Sequence, residues 1–250
     1  MERYSRQIML PEIGEAGQRK LGQTSALVVG AGGLGSAICT YLVAAGIGKL
    51  RIVDADTVSI HNLQRQILYR ETQVGRSKAE EAKKSLQALN SDVETEAVCD
   101  IFCPENASGL AKDMDVVIDA SDNFKTRYLL SDTCVGLDKP LIYGAVAGFC
   151  GQLAVFNYRQ GATYRCLFPD EREMIASQTH VVGIFGVLPG IIGCLQVNEV
   201  IKLITQCGEL LADKLLNLNL QTNHSFCVNI LPSQQNRQLA KANFEANQRL

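Results

Sequence analysis

Ala26-Leu-Val-Val-Gly-Ala-Gly-Gly-Leu-Gly-Ser36, followed by Leu50-Arg-Ile-Val-Asp54, is the stretch that organises the rest of the chain. Four apolar residues run into a glycine turn, a small-residue helix follows, and a second apolar run ends on an acid. Gly30, Gly32 and Gly35 fit G-x-G-x-x-G, with Gly33 between them. Asp54 follows at about the 20-residue interval that the dinucleotide fingerprint asks for. Such a turn brings backbone close to a phosphate and points the free N–H groups of the next helix at it. Asp54 is placed to accept hydrogen bonds from ribose hydroxyls. By itself the stretch predicts an adenosine-nucleotide site and leaves the nucleotide and its chemistry open.

Outward from there, strand and helix alternate. Glu12 to Leu21 reads as a surface helix, Leu34 to Ala45 as a helix closed by Gly46, and Arg76 to Leu89 as an amphipathic helix. Val93 to Val98 and Val116 to Asp119 read as strands, Pro104 to Ala111 and Asn123 to Cys134 as helices. That alternation predicts a right-handed parallel sheet, an α/β Rossmann-like fold with helices on both faces. After Pro140 the pattern changes. Leu141 to Val146 and Gln152 to Tyr158 are too close for a crossover helix, so they should pair antiparallel. Arg165 to His180 reads as polar and irregular, Leu188 to Ile204 as a long apolar helix, and Lys214 to Leu220 and Ser225 to Leu231 as strands. The expected organisation is one domain: residues 1–140 as the nucleotide-binding half, 141–232 as an antiparallel, carrier-binding half, and 233–250 as a polar tail, Gln234 to Leu250 being either a solvated helix or frayed.

Composition narrows the class. In 250 residues, 46% hydrophobic and 20% charged, there is material for a sizeable core. A net charge of -2 argues against nucleic-acid or membrane-surface binding, both of which need a basic face. The least polar stretch, Val181 to Leu195, is shorter than the ~20 residues of a spanning helix and reads as a buried helix start. Nine cysteines, with no Cys-x-x-Cys pair, argue against a structural zinc site. Cys39, Cys134 and Cys194 fall in apolar helical patterns, as small hydrophobes do. The odd count and the lack of a signal peptide point to reduced thiols and a cytoplasmic setting.

The polar residues past the glycine turn carry the chemistry. Asn62-Leu-Gln-Arg-Gln66 and Lys78 follow the second strand, and Asp119-Ala-Ser-Asp122-Asn123 follows a later one, so all lie at the same carboxyl edge. Two cations, Arg65 and Lys78, suit a triphosphate. An acid, Asp122, suits Mg²⁺, which takes one or two carboxylates together with phosphate oxygens. The structural alternative puts Lys78 on a solvated helix face and pairs Arg65 with Asp56. An NAD-dependent oxidoreductase shares the loop and Asp54 but gives Arg65, Lys78 and Asp122 no joint purpose.

On these residues the chain resembles the ThiF/MoeB/HesA group of E1-like activating enzymes, over about residues 1–205. The motifs are Arg3-Tyr-Ser-Arg-Gln7, the glycine loop, Asp54-Ala-Asp56, Asn62 to Gln66, Val74-Gly-Arg-Ser-Lys78, Asp119 to Asn123, Tyr164-Arg-Cys-Leu-Phe168, Gly186-Val-Leu-Pro-Gly190 and Asn198-Glu-Val-Ile-Lys202. The resemblance implies ATP-dependent, Mg²⁺-assisted adenylylation of the C-terminal glycine of a ubiquitin-like sulfur carrier ending in Gly-Gly, in thiamine or molybdopterin biosynthesis. It gives Asp54 the ribose, Asn62, Arg65 and Lys78 the phosphates, and Asp122 the metal. Arg6 would cross a homodimer interface to the partner's ATP. Many relatives carry two zinc-binding Cys-x-x-Cys pairs; here Thr163 stands opposite Cys166. The cysteine that some relatives use to link the carrier would be Thr179, between Ser177 and His180. The implied enzyme therefore hands its carrier to a separate sulfur donor such as a cysteine desulfurase, and carries no rhodanese domain. A non-catalytic E1-like partner subunit is the remaining alternative.

Overall fold

The computed structural model describes residues 2–177 and 183–249. After one short N-terminal turn (Glu2–Tyr4) and α1 (Ser5–Ile8), the chain runs α2 (Gly14–Gln23), β1 (Ser25–Val29), α3 (Gly33–Ala45), β2 (Lys49–Val53), α4 (Lys78–Leu89), β3 (Glu94–Val98), α5 (Pro104–Ala111), β4 (Val116–Asp119) and α6 (Phe124–Gly136). Then come β5 (Leu141–Ala147), β6 (Cys150–Phe156), α7 (Tyr164–Leu167), α8 (Glu171–Ser177), α9 (Val187–Thr205), β7 (Lys214–Asn219), β8 (His224–Asn229) and α10 (Gln234–Asn247). One eight-stranded sheet has the order β3-β2-β1-β4-β5-β6-β7-β8. Its first five strands are parallel, and β6, β7 and β8 continue it antiparallel.

Register sets the site. Val29 pairs with Val53 on one side and with Asp119 on the other, so β1, β2 and β4 end level and the segments after them share one edge. Along β1, Leu27 and Val29 enter one core and Ala26 and Val28 the other, which is why the strand is apolar from Ala26 onward. The core that takes Ala26 and Val28 lies under α3, α4 and α9, with Ile38, Leu42, Leu86 and Ile192 buried; the core that takes Leu27 and Val29 lies under α5, α6 and α7, around Tyr128, Tyr143, Phe156 and Tyr164. Each such side chain contributes roughly 1.5–3 kcal/mol relative to exposure.

Caps fix the helix ends that periodicity left loose. Ser77 accepts from the Glu80 amide at 3.5 Å, so α4 begins at Lys78 and Arg76 stays outside it. Asn123 accepts from the Thr126 amide at 2.9 Å and is the cap of α6, outside the helix it was expected to open. Gly46 ends α3 with φ of +83°, where the Tyr4 ring fills the space a β-carbon would need.

Three expectations are corrected. Arg165 to Ser177 is ordered: Arg165 is buried and bonds Asp132 through two nitrogens, both at 2.7 Å, and Glu171 at 2.7 Å, which fastens α7 and α8 to α6. The polarity of that stretch comes from a buried ion network. The segment after Pro232 is a docked helix: Arg237, 6% exposed, donates to Asn157 Oδ1 and to the Gly161 carbonyl, and the Phe244 ring covers Gly136. Cys194 is exposed on α9, unlike the buried Cys39 and Cys134. α9 is long and apolar enough to cross a membrane by length and composition. Its apolar faces are accounted for by α3 and the sheet, against which Leu188, Ile192, Val197 and Val200 are buried.

Candidate active site

The glycine turn is shaped by what it must pass. Gly30 has φ of +102°, and a β-carbon there would stand 2.4 Å from the Ala120 carbonyl oxygen. At Gly35 it would stand 2.1 Å from the Gly30 carbonyl, and at Gly33 2.9 Å from Pro189. Gly32 differs: a β-carbon there would meet only the Gln66 side chain, at 3.5 Å, so this side of the loop is open. The turn and the residues after β4 are thus in direct contact.

Asp54 closes the other side. Its Oδ2 accepts from the Ala31 amide at 2.7 Å and its Oδ1 from the Asp56 amide at 2.8 Å, tying the end of β2 to the glycine loop. Burial raises its carboxyl above the ordinary aspartate range; those two amides and the Lys78 charge oppose the rise. The Lys78 ammonium lies 2.8 Å from Asp56 Oδ2; the Lys78 side chain is 7% exposed and that of Asp56 73%. Lys78 is therefore not on a solvated face, and it, in place of Arg65, takes Asp56.

Arg65 donates to the His61 carbonyl at 3.3 Å, on the rim beside Gly33. Asn62 is buried, and its carbonyl accepts from the Arg65 and Gln66 amides, which holds this segment against the loop. Asp122 is the exposed member of the Asp119 to Asn123 turn. Gly30, Gly32, Gly33, Gly35, Asp54, Asp56, Asn62, Arg65, Lys78 and the Asp122 turn are thus gathered at one edge. Arg6 is not among them. It is exposed on α1, two residues from Tyr4, whose ring packs at Gly46. That is the far end of a 13-residue helix, about 20 Å from the glycine turn at 1.5 Å per residue.

Two residues at this edge escaped the sequence reading. Tyr69 donates its hydroxyl to the Ala31 carbonyl at 2.8 Å, and buried Gln66 turns its Nε2 toward Gly32, its Oε1 having no hydrogen-bond partner among the described residues. Gln66 was in view only as the end of a quoted motif; nothing in the spacing singled out Tyr69.

The edge fits a nucleoside triphosphate. It offers an open glycine turn, the Gln66 amide nitrogen facing it, a buried lysine, and an exposed acid that a hard divalent cation would accept. A concavity of about 850 Å³ lies away from this edge, at the opposite end of the strands, between Lys20, Asp138, Tyr158, Arg159 and Ile204. Among the described residues no cluster of three or more His, Cys, Asp or Glu side chains could hold a metal ion. Cys166 Sγ instead accepts from the Thr163 and Ser233 amides, at 3.3 and 3.4 Å, and Asn236 donates to the Arg165 carbonyl at 2.9 Å. Hydrogen bonds join those two segments. Thr179 and His180 lie outside the described residues.

The ThiF family model matches residues 4–240. This chain belongs to the ThiF family. A maize (Zea mays) adenylyltransferase and sulfurtransferase MOCS3-1 is 47% identical over 215 residues, which cover 86% of this chain and 46% of that protein. The chain thus spans about half the length of such relatives. The sulfur carrier protein adenylyltransferase of Thermus thermophilus is 46% identical over 222 residues, 86% of this chain and 82% of that one. Among solved structures, E. coli MccB with ATP superposes with a TM-score of 0.83 at 22% identity, covering 94% of this chain and 73% of that one. PaaA superposes at 0.79 and 24% identity, covering 93% and 74%. Both likenesses concern the fold. A ThiF-family edge with a buried lysine leaves the dehydrogenase alternative without support.

Proposed function

We propose that this protein adenylylates the C-terminal glycine carboxylate of a ubiquitin-like sulfur carrier, using ATP and releasing pyrophosphate. The observation that carries it is the screened Lys78–Asp56 pair beside an open glycine turn and Asp54: a cation held ready where phosphates would lie. The names of the maize and Thermus relatives support the reaction and its acceptor.

A terminal carboxylate is ionised at neutral pH, so its oxygen attacks the α-phosphorus without a general base. The bond from the α-phosphorus to the bridging oxygen breaks, and pyrophosphate leaves with that electron pair. The protein's task is positioning and charge neutralisation. The glycine turn takes the phosphate backbone, Asp54 the ribose, and Asn62, Arg65 and Lys78 the phosphate charge. Lys78 exchanges Asp56 for phosphate when the nucleotide enters. Asp122 would hold Mg²⁺, which would supply further neutralisation of phosphate charge. Arg6, remote from its own chain's edge, serves the second copy of a homodimer. The acyl-adenylate passes to a separate sulfur donor such as a cysteine desulfurase, in a thiamine or molybdopterin route. Nine free thiols support a cytoplasmic setting.

Incubation with ATP, Mg²⁺ and a Gly-Gly-ended carrier should add the mass of AMP to the carrier and liberate pyrophosphate. A carrier that stays at its own mass with every such carrier tried would refute the reading.

A further inference from the structure

Five residues, Asp119 to Asn123, connect β4 to α6, and only Asp122 among them is exposed. The others are held from several directions. Asp119, with 0% exposure, accepts at Oδ1 from the Ser121 amide at 2.9 Å and the Ser121 hydroxyl at 2.6 Å. Arg127 is 9% exposed, donates to the Ser121 carbonyl at 3.3 Å, and stands over the rings of Phe124 and Tyr143. From the opposite face of the sheet, buried Gln196 of α9 donates to the Asp119 carbonyl at 2.7 Å. Ala120 donates its amide to Val29 and lays its carbonyl against Gly30.

The Asp119–Arg127 pair is poor as a stabilising contact. Asp119 Oδ2 and Arg127 Nε are 3.8 Å apart, and neither atom has a hydrogen-bond partner among the described residues. A well-made buried pair by contrast is Asp132 of α6 with Arg165 of α7, with two bonds of 2.7 Å. Buried charges so loosely matched recover little of their desolvation cost, and apolar replacements would hold a core as well. What the pair does achieve is local: it clamps both ends of the Ser121 peptide, from which Asp122 follows.

We propose that Asp119 and Arg127 are positioning residues that fix the turn presenting Asp122 to the divalent cation. This rests on the proposed assignment of Asp122 to Mg²⁺ and adds residues that touch neither nucleotide nor metal. Because the Ala120 carbonyl abuts Gly30, the same clamp keeps the metal-binding acid in register with the phosphate turn.

The test is calorimetric binding of ATP, with and without Mg²⁺, to the wild type, Asp119→Ala, Asp122→Ala and the double variant. Asp119→Ala removes both bonds to Ser121; it should reduce the Mg²⁺-dependent gain in affinity about tenfold, as loss of a partner behind a metal ligand does, and leave metal-free ATP binding within about twofold. Added to Asp122→Ala, it should cost nothing more. Equal weakening with and without Mg²⁺, or a loss that adds to that of Asp122→Ala, would overturn the proposal. If Asp119→Ala does not fold, Ser121→Ala, which removes the 2.6 Å bond, should show the same selective loss at about threefold, and an unchanged Mg²⁺ gain overturns the proposal. An unchanged gain in Asp122→Ala would sink the metal assignment itself. A lost gain there with a kept one in Asp119→Ala would sink only the clamp.

Discussion

The parallel and antiparallel halves of the sheet use the same kinds of residue for different ends. In the parallel half, β1, β2 and β4 end level, and the segments after them bring Asp54, Lys78 and Asp122 to one edge. In the antiparallel half, successive strands run opposite ways, so their connections alternate between edges. Charged residues there go into the scaffold: Arg165 and Glu171 fasten α7 and α8 to Asp132 of α6, and Arg237 fastens α10. Strand direction decides whether scattered polar residues can converge on one ligand. An Asp–Lys pair at the parallel edge keeps one partner in solvent and can be opened by a ligand, whereas Asp132 and Arg165 are both buried and cannot.

That contrast can be broken first at Lys78. Lys78→Ala should lower adenylylation about 10³-fold, in the range seen when one charge on a transferring phosphate is removed. Thermal unfolding should shift little, because Asp56 remains hydrated. A large drop in melting temperature with retained activity would make the pair structural. Gly30→Ala comes next. A methyl placed 2.4 Å from the Ala120 carbonyl, at positive φ, should destabilise the protein by more than about 2 kcal/mol in urea unfolding and abolish measurable ATP binding.

On the antiparallel side, Phe244→Ala should cost about 1–2 kcal/mol in the same urea titration and leave ATP affinity unchanged. A loss of affinity would show that α10 reaches the site. The smallest effect is on pH dependence. Burial holds the Asp54 pKa above its unfolded value, so the native chain binds that proton more tightly than the unfolded chain. Stability therefore falls as pH rises through the interval between the unfolded and the folded pKa, and Asp54→Asn should flatten that slope. Urea midpoints taken from about pH 3.5 upward would show it, the ordinary aspartate value being about 3.9.

Much of the parallel half was legible because its signals are local. Gly46 after an apolar helix, Pro104 opening one, and the glycine fingerprint each act within a few residues. Ser77 and Asn123 moved helix starts by a residue or two because a cap is a side-chain choice that periodicity does not register. The illegible parts are long-range hydrogen bonds. Gln196 reaches the carbonyl of Asp119, Tyr69 that of Ala31, and Arg165 the carboxylate of Asp132. A stretch rich in charge, such as the one beginning at Arg165, looks the same in sequence whether its partners are water or a buried acid.

The central claim is that the level ends of β1, β2 and β4 form an acyl-adenylating edge. Exchange of labelled pyrophosphate into ATP reads that reaction in reverse. The account predicts exchange that requires both Mg²⁺ and a carrier ending in Gly-Gly, and that is lost when the last glycine of the carrier is deleted. Exchange that proceeds without a carrier, or none with any Gly-Gly-ended carrier while ATP still binds, would contradict it.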